Sequence, residues 1–196
     1  MSYTRGTFAA LVDAVVPETP ELADRGEEHV PGGLAVDLEV AVVDRVNNFL
    51  ETHGAAAAVS DAVPLAPIVA TLLDIAAIEL LVRRRTEDGL DTPGGGFSRG
   101  VFSRLSRADR LRALRLLEDE GVVARLADRY DSAALGAVQF LASSLPILIE
   151  FVYYSELTGE DGDGSLGWEQ TGYPGPAEGY VVGMGYEIEE FEENDY

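Results

Sequence analysis

From Ser132 to Leu157 the large apolar residues Leu135, Val138, Leu141, Leu145, Leu148 and Val152 return every three or four positions. That is the spacing of one helix face and not the alternation of a strand. At ~1.5 Å per residue the segment predicts a helix of roughly 39 Å, long enough to run the length of a small domain and to seat other helices around it. Pro146, after Ser143-Ser144, is expected to kink it. The segment leads to Gly167-Trp168-Glu169-Gln170-Thr171-Gly172-Tyr173-Pro174-Gly175-Pro176, which holds the chain's only Trp together with a Tyr, two prolines and three glycines. Such a mixture predicts a stiff, tightly turned loop that carries two large aromatic side chains.

The preceding chain also reads as helices. Thr4 or Thr7 caps a first one with Phe8, Leu11, Val12, Val15 and Val16 on its apolar side, stopped by Pro17. Residues 17 to 33, rich in Pro and acids, form a loop. A second helix is expected from about Leu34 to Thr52, with Gly54 as its C-cap. A third starts at Ser60 or Asp61, keeps Pro64 and Pro67 in its first turn, and ends in Arg83-Arg84-Arg85, where positive charge suits the helix dipole. After a Gly-rich loop from Glu87 to Gly100, Ser106 and Asp109 resemble a capping box that opens a helix through Leu111, Leu114 and Leu117. A short helix over 122–130 precedes the long one, which Asp131 or Ser132 caps. The expected fold is all-α, a single-domain bundle of five to six helices over residues 1–176. Residues 177–196 form an extended acidic tail.

The chain has 196 residues, enough for one core. It carries 35 acidic and 14 basic residues, the latter all Arg, for a net charge of −21. A Lys-free acidic surface is what molar internal salt permits, because the Debye length falls to ~3 Å at 1 M and self-repulsion is hidden. The alternative is an acidic surface directed at a cationic partner. Either way, no basic stripe exists to neutralise phosphates, which argues against nucleic acid. The absence of Cys excludes disulfides, thiolate catalysis and Cys-ligated metals. Met1 to Val16 holds one Arg and no apolar signal region, so a cytoplasmic location is expected. Ala62 to Val82 is the most apolar window, but Asp74 and Glu79 lie within it, and a buried helix is expected in place of a membrane span.

Catalytic motifs are sparse. Gly96-Phe97-Ser98-Arg99-Gly100 matches the G-x-S-x-G of serine hydrolases, yet a turn precedes it where a strand is needed, and both His29 and His53 lie upstream. A phosphate cradle lacks its Lys, and no Glu-x-x-His exists for a di-iron site. Asp161-Gly162-Asp163-Gly164 departs from the calcium-loop pattern at its sixth and twelfth positions. Asp74, Glu79 and Glu150, lone acids in apolar helices, are expected to pair with Arg or to sit at the rim. With so little catalytic equipment, the chain reads as one whose work is contact.

The run Gly167-Trp168-x-x-x-Gly172-Tyr173-Pro174-Gly175 resembles the ending of the gluconate 2-dehydrogenase subunit 3 family. Two weaker matches accompany it: the first helix ending at Pro17, and Phe102-x-x-Leu105-Ser106-x-x-x-Arg110. The resemblance covers roughly residues 5 to 176. It implies a small, non-catalytic, mainly helical subunit that pairs with a flavin-dependent dehydrogenase of the glucose-methanol-choline type. A cytochrome subunit is often the electron acceptor in that family. On this basis the chain holds no cofactor, FAD belongs to the partner, and Trp168, Gly172, Tyr173, Pro174, Gly175 and Pro176 form the partner-binding elbow. Family members often carry a twin-arginine signal, which is not found here, so any export or membrane association is expected to come through the partner. The family's longer loop before the Trp is also shorter in this chain. Two other readings are a helical serine hydrolase using Ser98 and a helical adaptor unrelated to redox chemistry.

Overall fold

A computed structural model describes residues 2–49, 64–87, 100–119, 133–154 and 166–173. Every regular element among them is helical, and the fold is all-α. Helix α1 (Tyr3–Val15) is capped by Ser2, whose Oγ accepts the Arg5 N–H at 3.3 Å. Thr4 and Thr7 therefore do not cap it. Thr7 is buried within the helix and donates its hydroxyl to the Tyr3 carbonyl. The helix ends as expected ahead of Pro17, with Val16 leaving helical geometry at φ −122° and ψ 74°, because a residue preceding proline is forced out of the helical region.

Residues 20–25 and 27–29 form 3-10 turns in the segment expected to be loop, and 33–36 form another where the second helix was expected to open. Helix α2 then covers Leu38–Asn47, shorter than the span from Leu34 predicted by periodicity. The reason is Asp37. Its φ of 50° and ψ of 32° place it in the left-handed region and separate the 3-10 turn from α2. Asp tolerates that region better than most residues, and the Arg5 guanidinium donates to its Oδ1 at 2.9 Å. Thr52 and Gly54 lie outside the described residues.

Helix α3 (Leu65–Glu87) carries Pro67 in its first turn, and the Asn47 side chain at the end of α2 accepts the Ala66 N–H at 2.9 Å. Its expected start at Ser60 or Asp61 lies outside the described residues. The window Leu65–Arg83 is long and apolar enough to cross a membrane by length and composition, with half of it buried in the fold. It packs against α1, α2, the short helix α4 (Val101–Arg104) and the two later helices over Arg107–Asp119 and Ala133–Tyr153. Val69, Ala70, Leu73, Ala76 and Ala77 all lie in the core.

Helix α5 (Arg107–Asp119) begins at Ser106, whose Oγ accepts the Asp109 N–H at 3.2 Å, the forward half of the capping box. Helix α6 (Ala133–Tyr153) runs unbroken through Pro146, and both Ser143 and Ser144 donate their hydroxyls to the Phe140 carbonyl. It stops four residues short of Leu157. Its inner side supplies Leu141, Leu145, Ile149 and Val152 to a core shared with Phe8 and Leu11 of α1 and Val42 and Val46 of α2. The segment 122–130 and the tail 177–196 lie outside the described residues.

The stretch expected to be a loop after α6 is a helix, α7 (Leu166–Thr171). Six residues are too few to show an apolar period, and the flanking Gly and Pro signalled only a turn.

Candidate functional site

Helix α7 is held against the end of α6 by its own sequence. Gly172 has φ of 63° and follows the helix in the left-handed conformation. Its N–H donates to the Glu169 carbonyl at 3.1 Å, and the Tyr173 N–H donates to the Trp168 carbonyl at 2.9 Å. These two bonds make a Schellman ending, which calls for glycine at this position and an apolar contact between the residue after it and the helix. That contact is present. The Trp168 and Tyr173 rings meet edge to face, with centroids 5.0 Å apart and planes at 77°, an arrangement favoured by the aromatic quadrupole.

The start of α7 is fixed with equal economy of space. Gly167 is buried, and a Cβ there would stand 2.9 Å from the Tyr153 carbonyl oxygen and closer still to the Tyr154 ring. Only glycine lets the two helices approach this closely. The Trp168 indole N–H donates to the Tyr154 carbonyl at 3.0 Å, at the end of α6 where carbonyls lack an intrahelical partner. Tyr153 and Tyr154 are themselves edge to face at 5.1 Å.

Gln170 completes the site and was not foreseen. Its Oε1 accepts the Tyr153 hydroxyl at 3.0 Å, while its Nε2 donates to the Glu28 carbonyl at 2.8 Å and approaches that of Pro31 at 3.4 Å. One amide thus joins α7, α6 and the turn at 27–31. Burial pushes the Tyr153 phenol above its ordinary pKa, so it stays a proton donor to Gln170 at neutral pH. Nothing in a single sequence marks this glutamine, because its partners are backbone carbonyls some 140 positions away.

Of the predicted elbow residues, the structure brings together Trp168, Gly172 and Tyr173. Pro174, Gly175 and Pro176 lie outside the described residues. Tyr173 is 48 % exposed, and Trp168 is half-buried between it and α6. The exposed Glu169 stands beside them. The arrangement offers aromatic surface and hydrogen-bonding groups in a fixed geometry, which is equipment for binding.

The other candidates find different places. Phe102 and Leu105 are core residues, Ser106 is the cap of α5, and Arg110 is buried with its guanidinium on Asp13, so each residue of that run has a packing role. Among the described residues Asp74 is held by neutral donors in place of an Arg. Its Oδ1 accepts the Phe102 N–H at 2.8 Å, capping α4, and its Oδ2 accepts the Tyr3 hydroxyl at 2.8 Å. Glu79 pairs with Arg83 one turn on at 2.7 Å, and Glu150 is exposed. His29 lies 3.6 Å from Glu28. Ser98, His53, Asp161 and Asp163 lie outside the described residues, among which no group of three or more His, Asp or Glu is placed to hold a metal. No protein family, curated protein or solved structure matches the chain.

Proposed function

We propose that this chain is the small, non-catalytic subunit of a flavin-dependent dehydrogenase of the glucose-methanol-choline type, binding and stabilising the catalytic subunit. The reading is carried by the clasp formed by Gly167, Trp168, Gly172 and Tyr173, where every residue of the resemblance motif within reach has a distinct physical task. Aromatic side chains already held in one geometry lose little entropy on docking and dominate interface energies. FAD, the sugar or sugar-acid substrate and any cytochrome acceptor belong to the partners, and the location of this chain follows theirs. The composition further supports a setting of molar salt, in which a net charge of −21 is screened.

Purification of the tagged chain from its native host tests the reading. A stoichiometric complex with flavin absorbance is expected. A complex with a colourless protein would replace the flavoprotein with an unrelated partner, and turnover of a small molecule by the isolated chain would overturn the non-catalytic role.

A further inference from the structure

Helix α6 holds a single charged residue, Glu150, in its 21 positions, although 25 % of the whole chain is charged. Its outward side is nonetheless largely open to solvent: Phe140, Ile147, Phe151 and, just past the helix end, Tyr154 are 59 %, 71 %, 60 % and 47 % exposed, although the Phe140 ring also meets Phe49 with centroids 6.0 Å apart. A helix apolar on both sides belongs in an interior. The four residues fall at the heptad spacing of a helix-pairing seam, with Ser144 in the remaining position, its hydroxyl turned back onto the Phe140 carbonyl. From Phe140 to Tyr154 the seam is ~21 Å long, the length of a partner helix of about 15 residues. It ends at Tyr154, whose carbonyl accepts the Trp168 indole, so it runs directly into the Trp168–Tyr173 pair. Glu150 within α6 and Glu169, next to Trp168 on α7, are exposed and both acidic.

We propose that the outer face of α6 seats an amphipathic helix of the flavoprotein partner, one with apolar residues at heptad spacing and Arg or Lys along its flanks. The proposal rests on the subunit role above and extends its contact from the clasp along the bundle. Charge complementarity at contact range, which a Debye length of ~3 Å leaves intact, selects this occupant. A second copy would bring its own Glu150 and Glu169 to the same seam, like charges at contact range that salt does not screen away. A stripe ~21 Å by about one helix diameter of ~10 Å also falls well short of the ~800 Å² per partner of a standard interface, so a homodimer resting on it alone would be weak. An anionic bilayer meets the same two glutamates. A basic-flanked helix is attracted by them and covers the seam as one part of a larger contact with the flavoprotein.

The probe is a synthetic 15-residue peptide with Leu at heptad spacing and Arg at the flanks, titrated against the full chain alongside a twin with Glu flanks, by fluorescence anisotropy. The Arg peptide is expected to bind at least about tenfold more tightly than its twin, and Ile147→Asp to weaken it at least about tenfold. Ile147→Asp adds negative charge, which alone would attract the Arg peptide, so a loss can come only from the apolar seam. Far-UV circular dichroism of the variant is expected to be unchanged because Ile147 is mostly exposed. Equal binding of the two peptides, or indifference to Ile147→Asp, overturns the proposal. So does a dimer of the chain, or its adsorption to lipid vesicles, that Ile147→Asp abolishes. Flavin absorbance of the native complex is read separately. A colourless complex that Ile147→Asp disrupts rejects the flavoprotein and keeps the seam, whereas a yellow complex indifferent to it keeps the flavoprotein and rejects the seam.

Discussion

Arg110 of α5 reaches back 97 positions to Asp13 of α1, its NH1 donating to Oδ2 at 2.8 Å. Arg107 grips the same carboxylate through Nε and NH2, at 2.7 Å for the closer contact with Oδ1. The two arginines are not equivalent. Arg110 is buried and also donates to the Ala10 and Ser103 carbonyls, while Arg107 is half in solvent. This cluster closes α5 against α1 and α4.

Asp13→Ala is accordingly expected to cost about 3–5 kcal/mol, because it leaves the Arg110 guanidinium buried without its counter-charge. Arg107→Ala removes a mostly exposed partner and should cost under about 1 kcal/mol. Burial pushes the Asp13 carboxyl up, but the two guanidinium groups outweigh it and hold it below the usual carboxylate range. A depressed folded value gives stability that is present above the unfolded pKa and is lost as pH falls through the folded one. Denaturant midpoints of wild type and Asp13→Asn should therefore differ most near neutrality and converge as pH drops below ~4, the ordinary Asp value. A gap that stays constant to pH 2 would contradict this.

Tyr3 gives the opposite slope. Burial, followed by its hydrogen bond to the Asp74 carboxylate, raises its pKa to about 12. A raised folded value gives stability that is complete below the unfolded pKa of ~10 and fades as pH climbs toward the folded one. Tyr3→Phe should be less stable than wild type at pH 8, and the difference should shrink between pH ~10 and about 12. A difference that grows over that window would refute the assignment.

Because Trp168 is the chain's only Trp, its emission reports the clasp alone. Gly172→Ala meets open space and suffers only from its positive φ, about 1–2 kcal/mol. Gly167→Ala meets the backbone of Tyr153 and must push α7 away. The expected result is a small emission change for Gly172→Ala and a clear red shift for Gly167→Ala, each with most helical signal retained. Equal shifts would mean that close approach at Gly167 is not what seats α7.

Trp168→Ala combined with Tyr173→Ala should remove the docking surface. At ~2 kcal/mol or more for each buried anchor, affinity for the partner is expected to fall by roughly a thousandfold. Helical signal should be kept, since neither side chain belongs to the main core. Loss of the helical signal in the double variant would show that the pair serves this fold and not a partner.

A chain of net charge −21 should also lose stability steeply as KCl is lowered from molar to millimolar. A flat denaturation midpoint across that range would remove the case for a high-salt setting.

How much of this the sequence disclosed depends on how local the cause is. Leu141, Leu145 and Val152 announced α6, Pro17 announced the end of α1, and Ser106 announced the start of α5, because period, ring closure and side-chain capping act within one or two turns. Asp37 was illegible, since its left-handed backbone breaks a run whose apolar pattern continues on both sides. Asp74 was legible as an acid needing a partner or a place at the rim, but its actual partners were hidden for a related reason. Its partners, Tyr3 and the Phe102 amide, lie 71 and 28 positions away and carry no charge to look for. At the candidate site, Trp168, Gly172 and Tyr173 stood out by composition, whereas Gln170 acts through backbone carbonyls and Gly167 through a clash it avoids.

The bridge made by Gln170 fastens α7 to the turn at 27–29 that it packs against. Any load placed on the aromatic pair is passed through one side-chain amide to the carbonyls of Glu28 and Pro31, near the opposite end of the polypeptide. Capture by a larger protein would consequently tighten the acidic turn around residue 30 as well as the surface it touches, and slowed amide exchange there would betray an event taking place at the other terminus.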